Sequence, residues 1–327
     1  MREILTFVRG AVANREGAVP VLTRFHISGG RIQGANGRIA IEAPCAELDG
    51  IEVLVQADKF LAAVDACDSE PKLDTTDNGR LSVKRNKFKC YLPTQAVDFF
   101  PRHHPTPGKK AKPVASLLST LSRLRPFVGE DATRPWVLTL FADGQTAYAT
   151  NSNMIASVPA PGLKCQLPVF LIDELLRIGQ EPSATTHDEN SATFFYGNSW
   201  LRSQLIVDEW PIKTAQELLA WKKKKLQPMP EDLISAIESI LPFCPDPKLP
   251  LVFFTPEGVA TAPGETQAQV RGVAWPPLGF DSRNLLPMLR ASTKLLLDPE
   301  QGRGLFEGGN GFRGTMAGIK TSSGVVA

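Results

Sequence analysis

The apolar positions of this chain repeat one order of elements three times. In each copy an apolar stripe at helical spacing comes first, over residues 2–13, 114–125 and 231–241. Leu117, Leu118, Leu121 and Leu124 mark the second stripe, and Leu233, Ile234, Ile237 and Leu241 the third. Each predicts an amphipathic helix with one face to bury. Pro126 and Pro242 predict where those two helices stop, since proline lacks an amide hydrogen and clashes with the preceding turn. A strand, a glycine turn and a second strand come next. The turn reads Ser28-Gly-Gly-Arg31, then Ala142-Asp-Gly-Gln145, then Pro256-Glu-Gly-Val259. Gly30, Gly144 and Gly258 stand 114 residues apart each time (30 to 144, 144 to 258). A constant long period marks one structural unit copied along the chain.

A second helix is predicted over 57–67, 168–178 and 281–291. Pro168 suits a first helical turn and Asp281 an N-cap, while Pro287 predicts a kink or a late start in the third. Each second helix leads to a hairpin, around Asp77-Asn-Gly-Arg80, Asp188-Glu-Asn-Ser191 and Glu300-Gln-Gly-Arg303. These are polar turns between alternating strands. The unit is therefore α+β, two helices covering antiparallel strands. Three domains are expected, 1–106, 107–214 and 215–327. The joins are the Pro-rich, basic stretch Phe100–Pro113 and the lysine run Trp221–Leu226 with Pro228.

Composition narrows the reading. Of the 327 residues 43% are hydrophobic and 21% charged, ordinary values for a folded globular protein. The formal net charge is +2, so nucleic-acid binding would need basic residues gathered on one surface. The 5 cysteines are scattered with no Cys-x-x-Cys pair, which argues against zinc and a disulfide framework and fits a reducing cytoplasm. The first residues hold no signal-peptide run, and no stretch approaches the ~20 apolar residues of a membrane span. A soluble, cytoplasmic protein without a cofactor is expected.

Several segments, in order, carry a resemblance to a known family. Gly10-Ala-Val-Ala-Asn-Arg-Glu-Gly-Ala-Val-Pro-Val-Leu22 resembles a helix end and loop into a Pro-[Ile/Val]-Leu strand. Phe88-Lys-Cys-Tyr-Leu-Pro-Thr94 with Asp98-Phe-Phe-Pro101 resembles the close of a first domain. Tyr148-Ala-Thr-Asn-Ser-Asn-Met-Ile-Ala156 stands where the family has Ala-Thr-Asp-Gly-His-Arg-Leu-Ala. Val207-Asp-Glu-Trp-Pro211 resembles an acidic-aromatic-proline close of the second domain, and Leu278–Leu289 the entry to the last helix. Together with the triple repeat, these resemble the bacterial β sliding clamp of DNA polymerase, in the manner of a divergent bacteriophage member. The start of the chain departs from the family, which places a strand before the first helix.

The resemblance implies the DNA clamp fold: three tandem domains per chain, each with two helices on antiparallel sheets, closing as a homodimeric ring. Such a ring encircles double-stranded DNA without reading sequence and tethers polymerase and clamp loader through short peptides. The DNA-facing residues it implies are Arg9, Arg15, Lys59, Arg123, Arg125, Arg177, Arg283 and Arg290. The implied peptide cleft comprises Thr150, Asn153, Met154, Ile155, Pro211, Ile212, Val325 and Val326. The implied subunit interface comprises Phe88, Cys90, Ile240 and Leu241; an apolar edge strand invites such pairing. Solvated helix faces and ordinary strand cores account for many of these residues equally well. Asn-Ser-Asn-Met-Ile in place of Asp-Gly-His-Arg-Leu changes the expected peptide preference.

Catalytic motifs do not emerge. There is no phosphate loop, no His-Glu-x-x-His and no Gly-x-Ser-x-Gly. His103-His104 reads as solvated loop. The alternatives to a processivity factor are a clamp-fold scaffold that does not encircle DNA, suggested by the acidic Glu231, Asp232 and Glu238, and an enzyme whose site the motifs miss.

Overall fold

The computed structural model describes residues 1–14, 19–112, 116–221, 224–261, 266–270 and 274–319. Arg15, Lys222, Lys223, Val325 and Val326 lie outside the described residues. The chain divides into two compact units, Met1–Ala115 with Asp173–Leu205, and Ser116–Ile172 with Ile206–Ala327.

The helices form where the apolar stripes put them. Arg2–Arg9, Leu117–Leu124 and Leu233–Ile240 are the first helices of the three repeats. Ala57–Asp65, Val169–Ile178 and Ser282–Arg290 are the second. Pro126 and Pro242 sit in 3-10 turns, Arg125–Phe127 and Leu241–Phe243, that close their helices. The Asp281 carboxylate caps the last helix by accepting from the Arg283 amide at 3.0 Å. That helix starts at its cap and runs on through Pro287, so the late start does not occur.

The first unit holds an eight-stranded antiparallel sheet. Its order is Ala184–His187, Ser191–Tyr196, Ser199–Gln204, Ile39–Pro44, Arg31–Ala35, Arg24–Ser28, Val53–Gln56 and Thr94–Gln95. The join at its centre pairs Trp200 with Glu42 and Ser203 with Ile39, so the sheet takes strands from the first and middle repeats. Helix Arg2–Arg9 buries Leu5 and Val8. Gly34 lets it come close, because a Cβ there would meet the Val8 carbonyl at 3.0 Å and Val12 at 2.8 Å. Lys72–Thr75, Leu81–Arg85 and Phe88–Leu92 make a separate three-stranded sheet with Phe88–Leu92 at an edge.

The second unit repeats this plan. Its eight-stranded sheet runs Lys164–Pro168, Thr139–Asp143, Thr146–Thr150, Met154–Pro159, Arg313–Ala317, Arg303–Glu307, Lys294–Asp298 and Gln227–Pro228. Met154 pairs with Met316, which joins the middle and last repeats. A four-stranded sheet holds Leu251–Thr255 and Gly258–Ala260. A Cβ on Gly258 would run into the Ala268 carbonyl and, at 2.8 Å, the Val270 amide, so the third copy of the repeated turn admits only glycine.

Two predicted joins are more than linkers. Gln33 brackets His103, donating to its carbonyl and accepting from its amide at 2.9 Å each. Thr106 is 2% exposed and is held by Thr193, Ser191 and Thr186 at 2.8–2.9 Å. The Pro-rich stretch is thus pinned to the first unit's sheet, and His103 is half-buried where solvent exposure was expected. In the lysine run, Trp221 is buried and Lys224 donates to the buried Asp298 carboxylate at 3.1 Å.

A candidate peptide cleft and the basic helix residues

The segment Tyr148–Ala156 builds one wall of a cavity of about 380 Å³ lying wholly within the second unit. Strand Thr146–Thr150 turns into strand Met154–Pro159 through three polar residues. Asn151 Oδ1 accepts from the amides of Asn153 and Met154 at 3.1 and 3.0 Å. Thr150 Oγ1 accepts from Ser152 and donates to the Met154 carbonyl at 2.7 Å. Ser152 adopts φ +76°, the left-handed conformation a tight polar turn demands. The Asn151 side chain donates to Asn284 on helix Ser282–Arg290 at 2.7 Å, so the turn is braced from behind.

The opposite wall comes from the acidic-aromatic-proline segment. Asp208 accepts from the Trp136 amide at 3.1 Å. Trp210 stacks on Phe141 with ring centroids 5.4 Å apart and meets Trp136 edge-on at 6.3 Å. Pro211 precedes the short helix Ile212–Leu218, whose Ala215 and Leu218 line the cavity. Offset and edge-on aromatic pairs hold such a wall rigid. Thr150, Asn153, Met154, Ile155 and Pro211 all line the cavity. Ile212 packs beside it against the cluster of Tyr148, Ile155, Trp210 and Trp221. The residue-by-residue resemblance missed Trp136, Arg134 and Arg303, which also line it. Arg134 and Trp136 belong to the 3-10 turn Pro135–Leu138 and its cap, the counterpart of Pro20–Thr23 in the first repeat, and Arg303 reads as a plain hairpin-turn residue.

The basic residues expected to face DNA are mostly engaged within the chain. Arg9 Nε donates to Asp58 at 2.7 Å and Arg290 to Glu238 at 2.6 Å. Arg177 forms a fork with Glu174 and also donates to the Phe7 carbonyl at 2.8 Å. Arg283 grips Asp281 at 2.6 Å, and the carboxylate hydrogen bond raises its pKa. Arg123 donates to the Gly309 carbonyl at 2.6 Å, and burial lowers its pKa. Lys59 is exposed on helix Ala57–Asp65, and Arg125 opens the 3-10 turn Arg125–Phe127.

The expected interface residues separate. Phe88 and Cys90 lie half-buried on an edge strand. Ile240 is 2% exposed inside its own unit. Leu241 begins the next turn, where Phe243, unanticipated, is 62% exposed.

All 5 cysteines are free, and burial pushes the Cys45 and Cys165 thiols up to about 12, so both stay protonated. Among the described residues no cluster of His, Cys, Asp and Glu could hold a metal ion, and no helix is long and apolar enough to cross a membrane.

No protein-family model and no curated protein sequence matches the chain. Solved structures do. The DNA polymerase sliding clamp of Bacillus subtilis superposes with a TM-score of 0.81 at 17% identity, covering 98% of this chain and 97% of that one. A Pseudomonas aeruginosa sliding clamp bound to griselimycin gives 0.78 at 18% identity, with the same coverage. The Helicobacter pylori β clamp bound to a DNA ligase peptide gives 0.77 at 17% identity, again over 98% and 97%. From end to end, the chain has the fold of the bacterial DNA polymerase sliding clamps.

Proposed function

We propose that the protein is a sliding clamp: a ring that encloses duplex DNA and tethers a polymerase as a processivity factor. The observation that carries this reading is the clamp fold over 98% of the chain, together with an apolar cleft in the second unit. The ring is a homodimer of three-domain subunits (1–106, 107–214, 215–327), joined through the edge strand at Phe88 and the surface at Leu241 and Phe243. It works in the cytoplasm and performs no chemistry itself. Partners, the polymerase and the clamp loader among them, dock short peptides in the cleft lined by Met154, Ile155 and Trp210. A DNA ligase peptide bound to the Helicobacter pylori clamp is the precedent among the similar structures. Enclosure holds DNA by topology, so weak, sequence-independent contacts from Arg9, Lys59, Arg123, Arg125, Arg177, Arg283 and Arg290 suffice.

One observation favours a second reading, a clamp-fold scaffold that does not enclose DNA. Arg9, Arg177, Arg283 and Arg290 are each paired with a carboxylate of the same chain. A loading experiment separates the two. The clamp reading expects retention on nicked circular DNA after loading and loss on linearisation. Retention on both forms, or on neither, refutes it.

A further inference from the structure

Resting on the reading of the cleft as a peptide site, we propose that its occupant is a linear segment with acidic side chains on both sides of its apolar anchors, and that Arg303 and Arg134 receive those carboxylates. The cleft's described lining contains two arginines and neither aspartate nor glutamate. Its electrostatics therefore select for negative charge beside the apolar contacts.

The two guanidinium groups have few partners of their own. Arg303 Nε is buried without an acceptor among the described residues, and its Nη1 reaches the Leu218 carbonyl at only 3.5 Å. The carboxylate across its own hairpin, Asp298, is committed to Lys224 at 3.1 Å. Arg134 donates to Ser152 Oγ at 3.1 Å, and its one carboxylate contact among the described residues, Asp131, lies 3.8 Å away with both side chains about half exposed. A pair of that kind yields readily to a better acceptor.

The backbone places Arg303 two strands from the turn that Arg134 touches. Arg303 pairs with Ala317, and the Ala317 amide donates to the carbonyl of Asn153, in the turn that holds Ser152. Two strand spacings, about 10 Å, separate the Arg303 strand from that turn, and an extended peptide covers this in about three residues. Acidic side chains on both sides of the apolar residues that meet Met154 and Trp210 give each arginine an acceptor of its own.

The test is fluorescence anisotropy with the full chain and two labelled peptides, one with the core Glu-Leu-Phe-Glu and one with Gln-Leu-Phe-Gln. The acidic peptide is expected to bind about tenfold more tightly at low salt, as a charge-assisted hydrogen bond implies. That preference should fade with added salt, largely vanish in Arg303→Gln, and survive in part in Arg303→Lys. Equal affinity for both peptides, or a preference untouched by Arg303→Gln, overturns the acidic inference and leaves the peptide cleft standing. If neither peptide binds, the cleft reading fails and this inference fails with it.

Discussion

Removing the carboxylates that hold Arg9 and Arg290 tests whether these helix arginines meet DNA. Asp58→Asn and Glu238→Gln change one atom each and leave the helices their shape. Both ion pairs are at the surface: the Arg290 and Glu238 side chains are 59% and 46% exposed, and Asp58 is 65% exposed. Pairs so exposed contribute about 0–1 kcal/mol, so the double variant should melt close to the parent. Each freed guanidinium can neutralise one phosphate, which steepens the slope of log K against log salt by about 0.9. Between ~50 and ~200 mM salt that is roughly a 3.5-fold change per contact, and about twelvefold for the double variant. Anisotropy of a labelled duplex across that range reads the slope directly. Asp74→Asn, an exposed carboxylate on strand Lys72–Thr75, makes the charge change of either single substitution away from the helices. A slope unchanged in the double variant refutes the assignment of Arg9 and Arg290 to the DNA-facing surface. A slope steepened by Asp74→Asn as much as by either single substitution refutes it too, since net charge alone would then explain the effect.

Glu42→Leu should cost about 3 kcal/mol or more, because Arg31, Gln33 and Trp200 all donate to that carboxylate and lose it together; a urea-melt difference under about 1 kcal/mol counts against this network. Burial lowers the pKa of His26 and His103 from 6.5, so below that value the unfolded chain takes up protons that the folded chain resists. Stability is then full above the unfolded pKa and falls as pH drops below about 6.5; denaturant midpoints should decline on that acid side, less so in His103→Asn. Gly258→Ala should destabilise by about 2 kcal/mol or more, since the added methyl meets main chain that cannot swing aside; calorimetry finding it neutral contradicts the packing seen there. Phe243→Glu should dissociate a homodimer in sedimentation analysis with the melting temperature nearly unchanged, because Phe243 is 62% exposed, whereas Ile240→Glu should unfold the second unit.

The secondary structure was largely legible because it rests on local chemistry. Apolar spacing located the six repeat helices within a few residues, prolines closed two of them, and Asp281 caps the last. Sheet composition was not legible. Nothing in the local pattern says that Trp200 pairs with Glu42, 158 positions away, because edge pairing depends on which strands remain free once each repeat has folded. The Pro-rich stretch misled for a related reason. Proline and lysine content signals a linker, whereas the hydroxyls of Thr106, Ser191 and Thr193 that pin it down are individually unremarkable polar residues. At the cleft, the Tyr148–Ile155 wall could be placed by resemblance, but Arg134 belongs to no motif, Arg303 only to a hairpin turn, and both are defined by where the fold brings them.

Arg9 and Arg290 on the helices and Arg303 in the cleft sit in two electrostatic settings, and the clamp reading gives each a purpose. On the helices, a phosphate must compete with carboxylates held at 2.6–2.7 Å, so any contact with DNA is weak and quickly exchanged. Weak contact is no handicap to a ring, whose hold on DNA is topological, and it lowers the barrier to sliding, which a tight phosphate grip would raise. A partner peptide has no such enclosure to keep it in place. Its residence depends on direct contact alone, and there Arg303 keeps an Nε without an acceptor among the described residues and only a 3.5 Å bond to Leu218. Neutralised cations where binding is enforced by geometry, and an under-satisfied one where it is not, are what a protein needs if it must move along one ligand and hold another.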